Sequence, residues 1–141
     1  MIIVDANVLL YAVNTSAPLH PPTRKWLERA LNANEPVGFT WLVLLAFTRI
    51  STLSSLTDRP MSVGECLDVV DEWLSAPAAT VIHPTSRHFA VLRGLLVEAG
   101  TAGNLTNDAH LAAIAIEHGA QICTFDRDFA RFGVSVIEPP T

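Results

Sequence analysis

The feature that most constrains the fold is the opening run Ile2-Ile3-Val4, which is apolar without interruption and leads directly to Asp5. A strand with one solvated face alternates apolar and polar residues, whereas a strand of a parallel sheet covered on both faces is continuously apolar. The run therefore predicts a short buried strand over Ile2–Asp5 within a parallel sheet.

Short apolar segments then alternate with longer segments of helical periodicity. Such alternation predicts an α/β fold in three layers, with a central, mainly parallel sheet flanked by helices. Ser62 followed by Glu65 indicates a capping box, Thr106 is expected to cap its helix, and Gly119 to end it. The predicted strands are Ile2–Asp5, Val37–Phe39, Thr80–His83, Gln121–Thr124 and Val134–Ile137, and the predicted helices are Asn7–Val13, Pro21–Leu31, Trp41–Ile50, Ser62–Leu74, Ser86–Ala99 and Thr106–His118.

Length and composition favour one globular domain over residues 1–141. Half of the residues are apolar and 16% are charged, which excludes a disordered chain. The longest purely apolar run, Trp41–Phe47, is far shorter than the roughly 20 residues that span a bilayer. No basic segment precedes the first strand, and Cys66 and Cys123 lie in no CxxC motif. We therefore expect a soluble, cytoplasmic protein with two buried thiols and no membrane partner.

The formal net charge of −5 argues against a simple nucleic-acid-binding protein, which is usually basic. An enzyme that gathers carboxylates around divalent cations is the exception, because the bound ions reverse the local sign of the charge. The charge alone therefore does not exclude nucleic acid as the partner of a cation-binding enzyme.

Aspartates stand at the element ends where an open α/β sheet places its ligands, beyond the carboxyl ends of the strands. Asp5 follows the first strand, and Asp126 and Asp128 follow the strand Gln121–Thr124. Asp108 lies in the first turn of the helix that leads into that strand. These four side chains could converge on one pocket.

Crowded carboxylates repel one another and stay ionised together only when cations neutralise them. Their hard oxygen atoms suit Mg²⁺, with Mn²⁺ as a possible substitute, and a pair of such ions is typical of phosphodiester hydrolysis. Ordinary roles remain open at this point. Asp108 could only complement the helix dipole, and Asp126 could only form an Asx turn.

Three neighbouring polar residues also have two possible roles each. Asn7 either fixes the Asp5 carboxylate or caps the helix that it opens, and Thr124 either bonds a site carboxylate or is an ordinary strand residue. Thr40 either caps the helix Trp41–Ile50 or faces the site. His110, two residues after Asp108, points to another helix face and is expected to be structural.

Four segments together carry a family resemblance: Val4-Asp5-Ala6-Asn7-Val8-Leu9-Leu10, Gly103 to Ala113 with its Asn107-Asp108-Ala109-His110-Leu111 core, Glu117-His118-Gly119-Ala120, and Thr124-Phe125-Asp126-Arg127-Asp128-Phe129. With these four segments in this order, the chain resembles the PIN-domain ribonucleases, and more closely the VapC toxins of bacterial VapBC toxin–antitoxin modules. The resemblance extends over the whole chain.

The resemblance implies a Mg²⁺-dependent endoribonuclease that cleaves RNA, with tRNA or rRNA loops as expected targets, and that is neutralised by a cognate VapB-type antitoxin. It assigns catalytic and metal-binding roles to Asp5, Asp108 and Asp126, and makes Asp128 a fourth metal ligand. One departure is visible. PIN domains commonly carry a Glu in the helix that here spans Trp41–Ile50, where Ala46 or Phe47 takes its place. A second metal position should therefore be weakened.

Two other classes of protein compete with this interpretation. A phosphatase or phospho-receiver domain needs a nucleophilic Asp partnered by a Lys on a later strand, but the one Lys of the chain, Lys25, lies in an early helix. A PIN-like module that only binds RNA or an antitoxin is suggested by the missing Glu. A titration with divalent metal separates this module from the enzyme.

The apolar helices also predict partners. Trp41–Ile50 and Pro21–Leu31 carry more apolar surface than one domain of this size readily covers, and exposed apolar patches usually mark interfaces. We expect a homodimer and a groove that takes an amphipathic antitoxin segment.

Overall fold

A computed structural model describes residues 1–140 as a parallel sheet of five strands with helices on its faces. The strands are β1 (Ile2–Val4), β2 (Val37–Phe39), β3 (Ala79–Val81), β4 (Gln121–Cys123) and β5 (Val136–Ile137). Their order in the sheet is β3-β2-β1-β4-β5, and every neighbouring pair is parallel. The predicted α/β class with a parallel sheet is confirmed.

Within residues 1–140, six α-helices connect the strands: α1 (Ala6–Val13), α2 (His20–Leu31), α3 (Trp41–Thr52), α4 (Val63–Leu74), α5 (His88–Ala99) and α6 (Thr106–His118). Short 3₁₀ helices cover Gly103–Leu105 and Arg127–Phe132. None of the helices within residues 1–140 is both long enough and apolar enough to cross a membrane.

The central strand β1 owes its place to its apolar run, since Ile3 and Val4 are fully buried between the helical layers. Its neighbour β4 pairs in register, with Val4 opposite Cys123, and the ladder continues when the Asp5 N–H donates to the Cys123 carbonyl over 3.0 Å. The two strands therefore end side by side, and the residues after them enter the same edge of the sheet.

Local signals set most helix ends as predicted. Ser62 Oγ accepts from the Glu65 N–H at 3.2 Å, and Thr40 Oγ1 accepts from the Val43 N–H at 3.3 Å, so both residues are N-caps. Gly119 ends α6 in the left-handed region at φ 62°, which lets the chain turn into β4.

Thr106 does not cap α6, which corrects the prediction. The 3₁₀ turn Gly103–Leu105 runs straight into the helix, so Thr106 already has helical angles of φ −57° and ψ −50° and cannot take the extended conformation of a cap. Its hydroxyl instead donates to the Gly103 carbonyl at 2.8 Å.

The two helices expected to expose apolar surface differ. α3 leaves Trp41 49% exposed and Leu45 62% exposed. In α2, by contrast, Leu27 and Leu31 are buried and Trp26 is half-buried, so its apolar face is largely covered within the chain. Only the first of the two helices carries the expected surface excess.

Candidate active site

Asp5 is held at the point where β1 passes into α1. It is the N-cap of α1, with Oδ1 accepting from the Ala6 N–H at 2.7 Å. Its Oδ2 accepts from Thr124 Oγ1 at 2.7 Å, and the Asn7 amide lies 3.4 Å from the same oxygen. Burial raises the pKa of Asp5 above its ordinary value, these hydrogen bonds oppose the rise, and the charge of Asp126 adds to it.

Asn7 and Thr124 form a bridge between the two neighbouring strand ends. Because Thr124 Oγ1 gives its one proton to Asp5, it accepts from Asn7 Nδ2 and from the Asp126 N–H, each at 3.0 Å. Asn7 Oδ1 accepts from the Phe125 N–H at 3.3 Å. Both residues therefore orient the Asp5 carboxylate, and the cap of α1 is Asp5 rather than Asn7.

Asp126 and Asp128 lie on the turn that follows β4. Asp126 caps the 3₁₀ helix Arg127–Phe132, with Oδ1 accepting from the Asp128 N–H at 2.9 Å. The predicted turn geometry is thus present, and among the described residues it engages only one oxygen of Asp126. Asp126 is half-buried and Asp128 is exposed.

Asp108 completes the group from the first turn of α6. It is half-buried, and no hydrogen bond to its carboxylate is formed within residues 1–140. Burial, followed by the charges of the other three aspartates, raises the pKa of Asp108 to about 6. The charges of the other three predicted residues thus all act on Asp108, and we call the four residues the aspartate cluster: Asp5, Asp108, Asp126 and Asp128.

The chemistry of the aspartate cluster fits a divalent cation. Its donors are all carboxylate oxygens, which hard ions prefer, and their mutual repulsion is relieved by positive charge. Among residues 1–140, no group of three or more His, Cys, Asp or Glu side chains is already drawn together as a set of metal ligands. The cluster thus has the composition of a cation site without the closed geometry of one.

The helix α3 adds no carboxylate to this edge of the sheet. Phe47 is fully buried and packs edge-on against Trp73, with ring centroids 4.9 Å apart. Phe47 therefore belongs to the core and does not occupy the position of the absent acid. Ala46 is half-buried and is the remaining candidate for that position.

A second acidic group, which the sequence reasoning missed, lies between α5 and α6. The Glu117 side chain is fully buried, and its Oε1 accepts from the N–H and the hydroxyl of Thr85. Its Oε2 is 2.6 Å from His88 Nδ1, and His88 Nε2 is 2.9 Å from His110 Nδ1. We call these residues the Glu117 network: Thr85, His88, His110 and Glu117.

The Glu117 network explains His110 as a structural residue, as predicted. Burial opposes ionisation of Glu117, but the hydrogen bonds from Thr85 and His88 outweigh it and lower the pKa of Glu117 below its ordinary value. The one signal in the sequence was an acid at the end of the otherwise apolar run Leu111–Ile116. Such an acid must find partners if its helix is buried on all sides.

Comparison with known proteins places the chain in a family. The PIN domain model matches residues 2–134. Ribonuclease VapC37 of Mycobacterium tuberculosis is 50% identical over 141 residues, which cover 99% of this chain and 98% of the relative. Ribonuclease VapC33 of the same species is 40% identical over 132 residues, or 94% of this chain and 92% of the relative.

Solved structures agree on the fold. VapBC2 from Rickettsia felis, bound to a DNA fragment from the promoter, matches with a TM-score of 0.72 at 20% identity and covers 98% of both chains. VapC20 from M. tuberculosis, described as a sarcin–ricin loop cleaving toxin, matches with a TM-score of 0.71 at 17% identity, covering 99% of this chain and all of the other. The chain thus belongs to the PIN-domain family and, within it, to the VapC ribonucleases.

Proposed function

We propose that this chain, as one domain over residues 1–141, is the toxin of a type II toxin–antitoxin system and acts as a Mg²⁺-dependent endoribonuclease. The observation that carries the proposal is the aspartate cluster. Its members come from three separate segments of the chain and follow or adjoin the carboxyl ends of adjacent parallel strands, and the charges of the other three raise the pKa of Asp108. Membership of the VapC ribonucleases supports the same activity.

In the proposed mechanism Asp5, Asp108 and Asp126 are the catalytic acids, and Asp128 joins them in holding the cation. When bound, Mg²⁺, or Mn²⁺ in its place, would supply Lewis acidity and charge neutralisation for the hydrolysis of the phosphodiester. Thr124 and Asn7 keep the Asp5 carboxylate in one orientation through the bonds described above. The expected products carry a 5′-phosphate and a 3′-hydroxyl.

The proposed substrate is a structured RNA with an accessible loop, such as a tRNA or an rRNA loop. Unstacked loop bases are open to a protein surface, whereas the edges of paired bases in A-form RNA are hard to reach. The description of VapC20 as a sarcin–ricin loop cleaving toxin supports this class of target. Sequencing of RNA 5′ ends after a short pulse of expression would locate the cleavage sites.

A catalytically weak PIN-like module that binds RNA or an antitoxin is the second candidate. It is favoured by the lack of an acid on α3, where Phe47 lies in the core and Ala46 has no charge. Cleavage of labelled loop RNA by the purified chain, with Mg²⁺ or with EDTA, decides between the two. Cleavage that requires Mg²⁺ supports the enzyme, whereas metal-independent binding without cleavage supports the module.

The proposed antitoxin partner has a suitable surface between α1, α2 and α4. A cavity of about 370 Å³ opens there, with Leu27, Val69 and Trp73 in its walls and the exposed charges of Arg24 and Glu72 among its lining residues. A groove with apolar walls and charged residues fits an amphipathic helical segment. The VapBC complexes among the structural neighbours support this kind of partner.

The proposed homodimer would use the apolar residues that α3 and α5 expose. Besides Trp41 and Leu45 on α3, Phe89 is 73% exposed and Val97 is 71% exposed on α5, a helix with no buried residue. Light scattering of the isolated protein tests this point, and co-purification with the product of the adjacent gene tests the antitoxin. A monodisperse monomer that also ignores that gene product would contradict both assignments.

A further inference from the structure

A second cavity, of about 250 Å³, is lined in part by Asn7, the neighbour of Asp5, and is not used by the mechanism above. It is bounded by the outer part of α1, the end of α3 and the segment 56–61 that leads to α4. The segment is tied to α3 because the Met61 N–H donates to the Ser51 carbonyl at 2.8 Å. The volume of the cavity lies below the range of roughly 300–1,000 Å³ that is typical of pockets for drug-sized ligands. A unit as small as a nucleoside therefore fits the cavity better than a drug-sized ligand does.

Two lining residues connect the cavity to the surroundings of the aspartate cluster. Asn7 lines it, and the same side-chain amide reaches Thr124 and Asp5. Tyr11 also lines it and packs edge-on against Phe125, the residue before Asp126, with ring centroids 5.3 Å apart. The cavity is therefore one residue removed from Asp5, through Asn7, and one residue removed from Phe125, through Tyr11.

The charge of the lining favours an anionic ligand. Arg59 is the one charged residue among the lining residues, in a chain whose net charge is −5. Its guanidinium donates to Thr15 Oγ1 at 3.2 Å, and within residues 1–140 it forms no ion pair with a carboxylate. Guanidinium groups bind phosphate through several parallel hydrogen bonds, so Arg59 is suited to a phosphate of the RNA backbone.

The polar groups of the lining can recognise a base. Ser51 is only 5% exposed, lines the cavity, and its hydroxyl has no hydrogen-bond partner among the described residues. Buried hydroxyls are nearly always bonded in folded proteins, which marks this one as available to a ligand. Tyr11 adds an aromatic ring of the kind on which unpaired RNA bases stack, and Asn14 adds an amide.

We infer that this cavity is a nucleoside-binding subsite, which takes the RNA residue next to the scissile phosphodiester with Arg59 on its phosphate. The inference rests on the proposed ribonuclease function and deepens it, because the subsite would select the cleavage position. Asn7 would then serve both sites, orienting Asp5 on one side and bounding the nucleoside on the other.

The test has two readouts, both made on the full chain. The first is binding of AMP, GMP, CMP and UMP in EDTA, which is detected through changes in the NMR chemical shifts of Tyr11 and Asn14. At least one mononucleotide should bind to the wild type, and Arg59→Gln should weaken that binding about tenfold. Asp108→Asn should retain it, since the subsite does not need the metal. The control is Arg29→Gln, an exposed arginine of α2 outside the cavity.

The second readout is the kinetics of cleavage at saturating Mg²⁺. Arg59→Gln should raise KM about tenfold with a smaller change in kcat, and Arg29→Gln should leave both unchanged. The inference is overturned if no mononucleotide binds, or if Arg59→Gln leaves both mononucleotide binding and KM unchanged. It is also overturned if Arg59→Gln weakens only the complex with the antitoxin. If mononucleotides bind but the wild type never cleaves RNA with Mg²⁺, the proposed function fails while the subsite stands.

Discussion

Asp108 of the aspartate cluster and Glu117 of the Glu117 network are carboxylates at least partly removed from water, yet folding shifts their pKa values in opposite directions. Glu117 is surrounded by donors from Thr85 and His88, and its pKa is lowered. Asp108 has no donor among the described residues and faces three like charges, and its pKa is raised to about 6. A carboxylate that receives hydrogen bonds from the protein stabilises the fold, whereas a carboxylate such as Asp108, without donors and near like charges, favours positive charge from outside the chain.

The largest expected effect on cleavage comes from substitution of the acids of the aspartate cluster. Asp5→Asn, Asp108→Asn and Asp126→Asn should each lower cleavage by about 10³-fold, because the amide keeps the shape but removes a charge that is proposed to hold the cation. The free energy of unfolding in EDTA should stay level or rise as repulsion is relieved. Cleavage assays at matched Mg²⁺ check this, with the exposed Asp71→Asn as control. Undiminished cleavage by any one variant removes that residue from the site.

Loss of the Glu117 carboxylate should have the reverse pattern. Glu117→Ala leaves the partly buried donors of Thr85 and His88 without their acceptor, which should lower the free energy of unfolding by about 2 kcal/mol. Glu117→Gln, which keeps one acceptor oxygen, should cost less. Denaturant unfolding measures both, and cleavage per folded molecule should persist. A stable variant that has lost cleavage would instead place Glu117 in the active site.

The pH dependence of stability should separate the two groups next. Folding raises the pKa of Asp108, so its contribution to stability is complete below about pH 4 and is lost as the pH rises through about 6. Folding lowers the pKa of Glu117, so its contribution is present above about pH 4.5 and is lost as the pH falls through the folded value.

Denaturant unfolding in EDTA over this range provides the measurement. Asp108→Asn should be more stable than wild type toward neutral pH, and this difference in free energy of unfolding should vanish below about pH 4. Glu117→Gln should be less stable than wild type at neutral pH, and its difference should vanish at low pH. Parallel curves for wild type and Asp108→Asn would mean that folding leaves the ionisation of Asp108 unchanged.

The smallest expected effect concerns the acid that α3 lacks. Ala46→Glu should tighten Mg²⁺ binding severalfold by adding a carboxylate, whereas Phe47→Glu should mainly destabilise the fold because Phe47 packs against Trp73 in the core. Calorimetric titration with Mg²⁺ compares Ala46→Glu with the wild type. Two tight, independent sites in the unchanged protein would contradict the weakened second position.

The positions of the aspartate cluster could be predicted from sequence because they follow directly from the ends of predicted strands. An apolar run that ends in Asp5 implies a buried strand end, and parallel strands bring Asp126 to the same edge. The Glu117 network could not, because Thr85 and His88 lie about 30 residues away along the chain and only the packing of α5 on α6 brings them together. Thr106 was misjudged for a related reason, since the 3₁₀ turn before it follows no pattern that periodicity detects.

The most direct test of the central claim, that the aspartate cluster is completed by a cation, is thermal unfolding of three proteins with and without Mg²⁺. An ion at about 100 times its Kd stabilises the folded state by about 2.7 kcal/mol, which is several degrees in Tm for a domain of this size. Wild type and Glu117→Gln should show the same rise in Tm, and Asp108→Asn should show little or none. A wild-type Tm that does not respond to Mg²⁺, or a full rise in Asp108→Asn, would contradict the account.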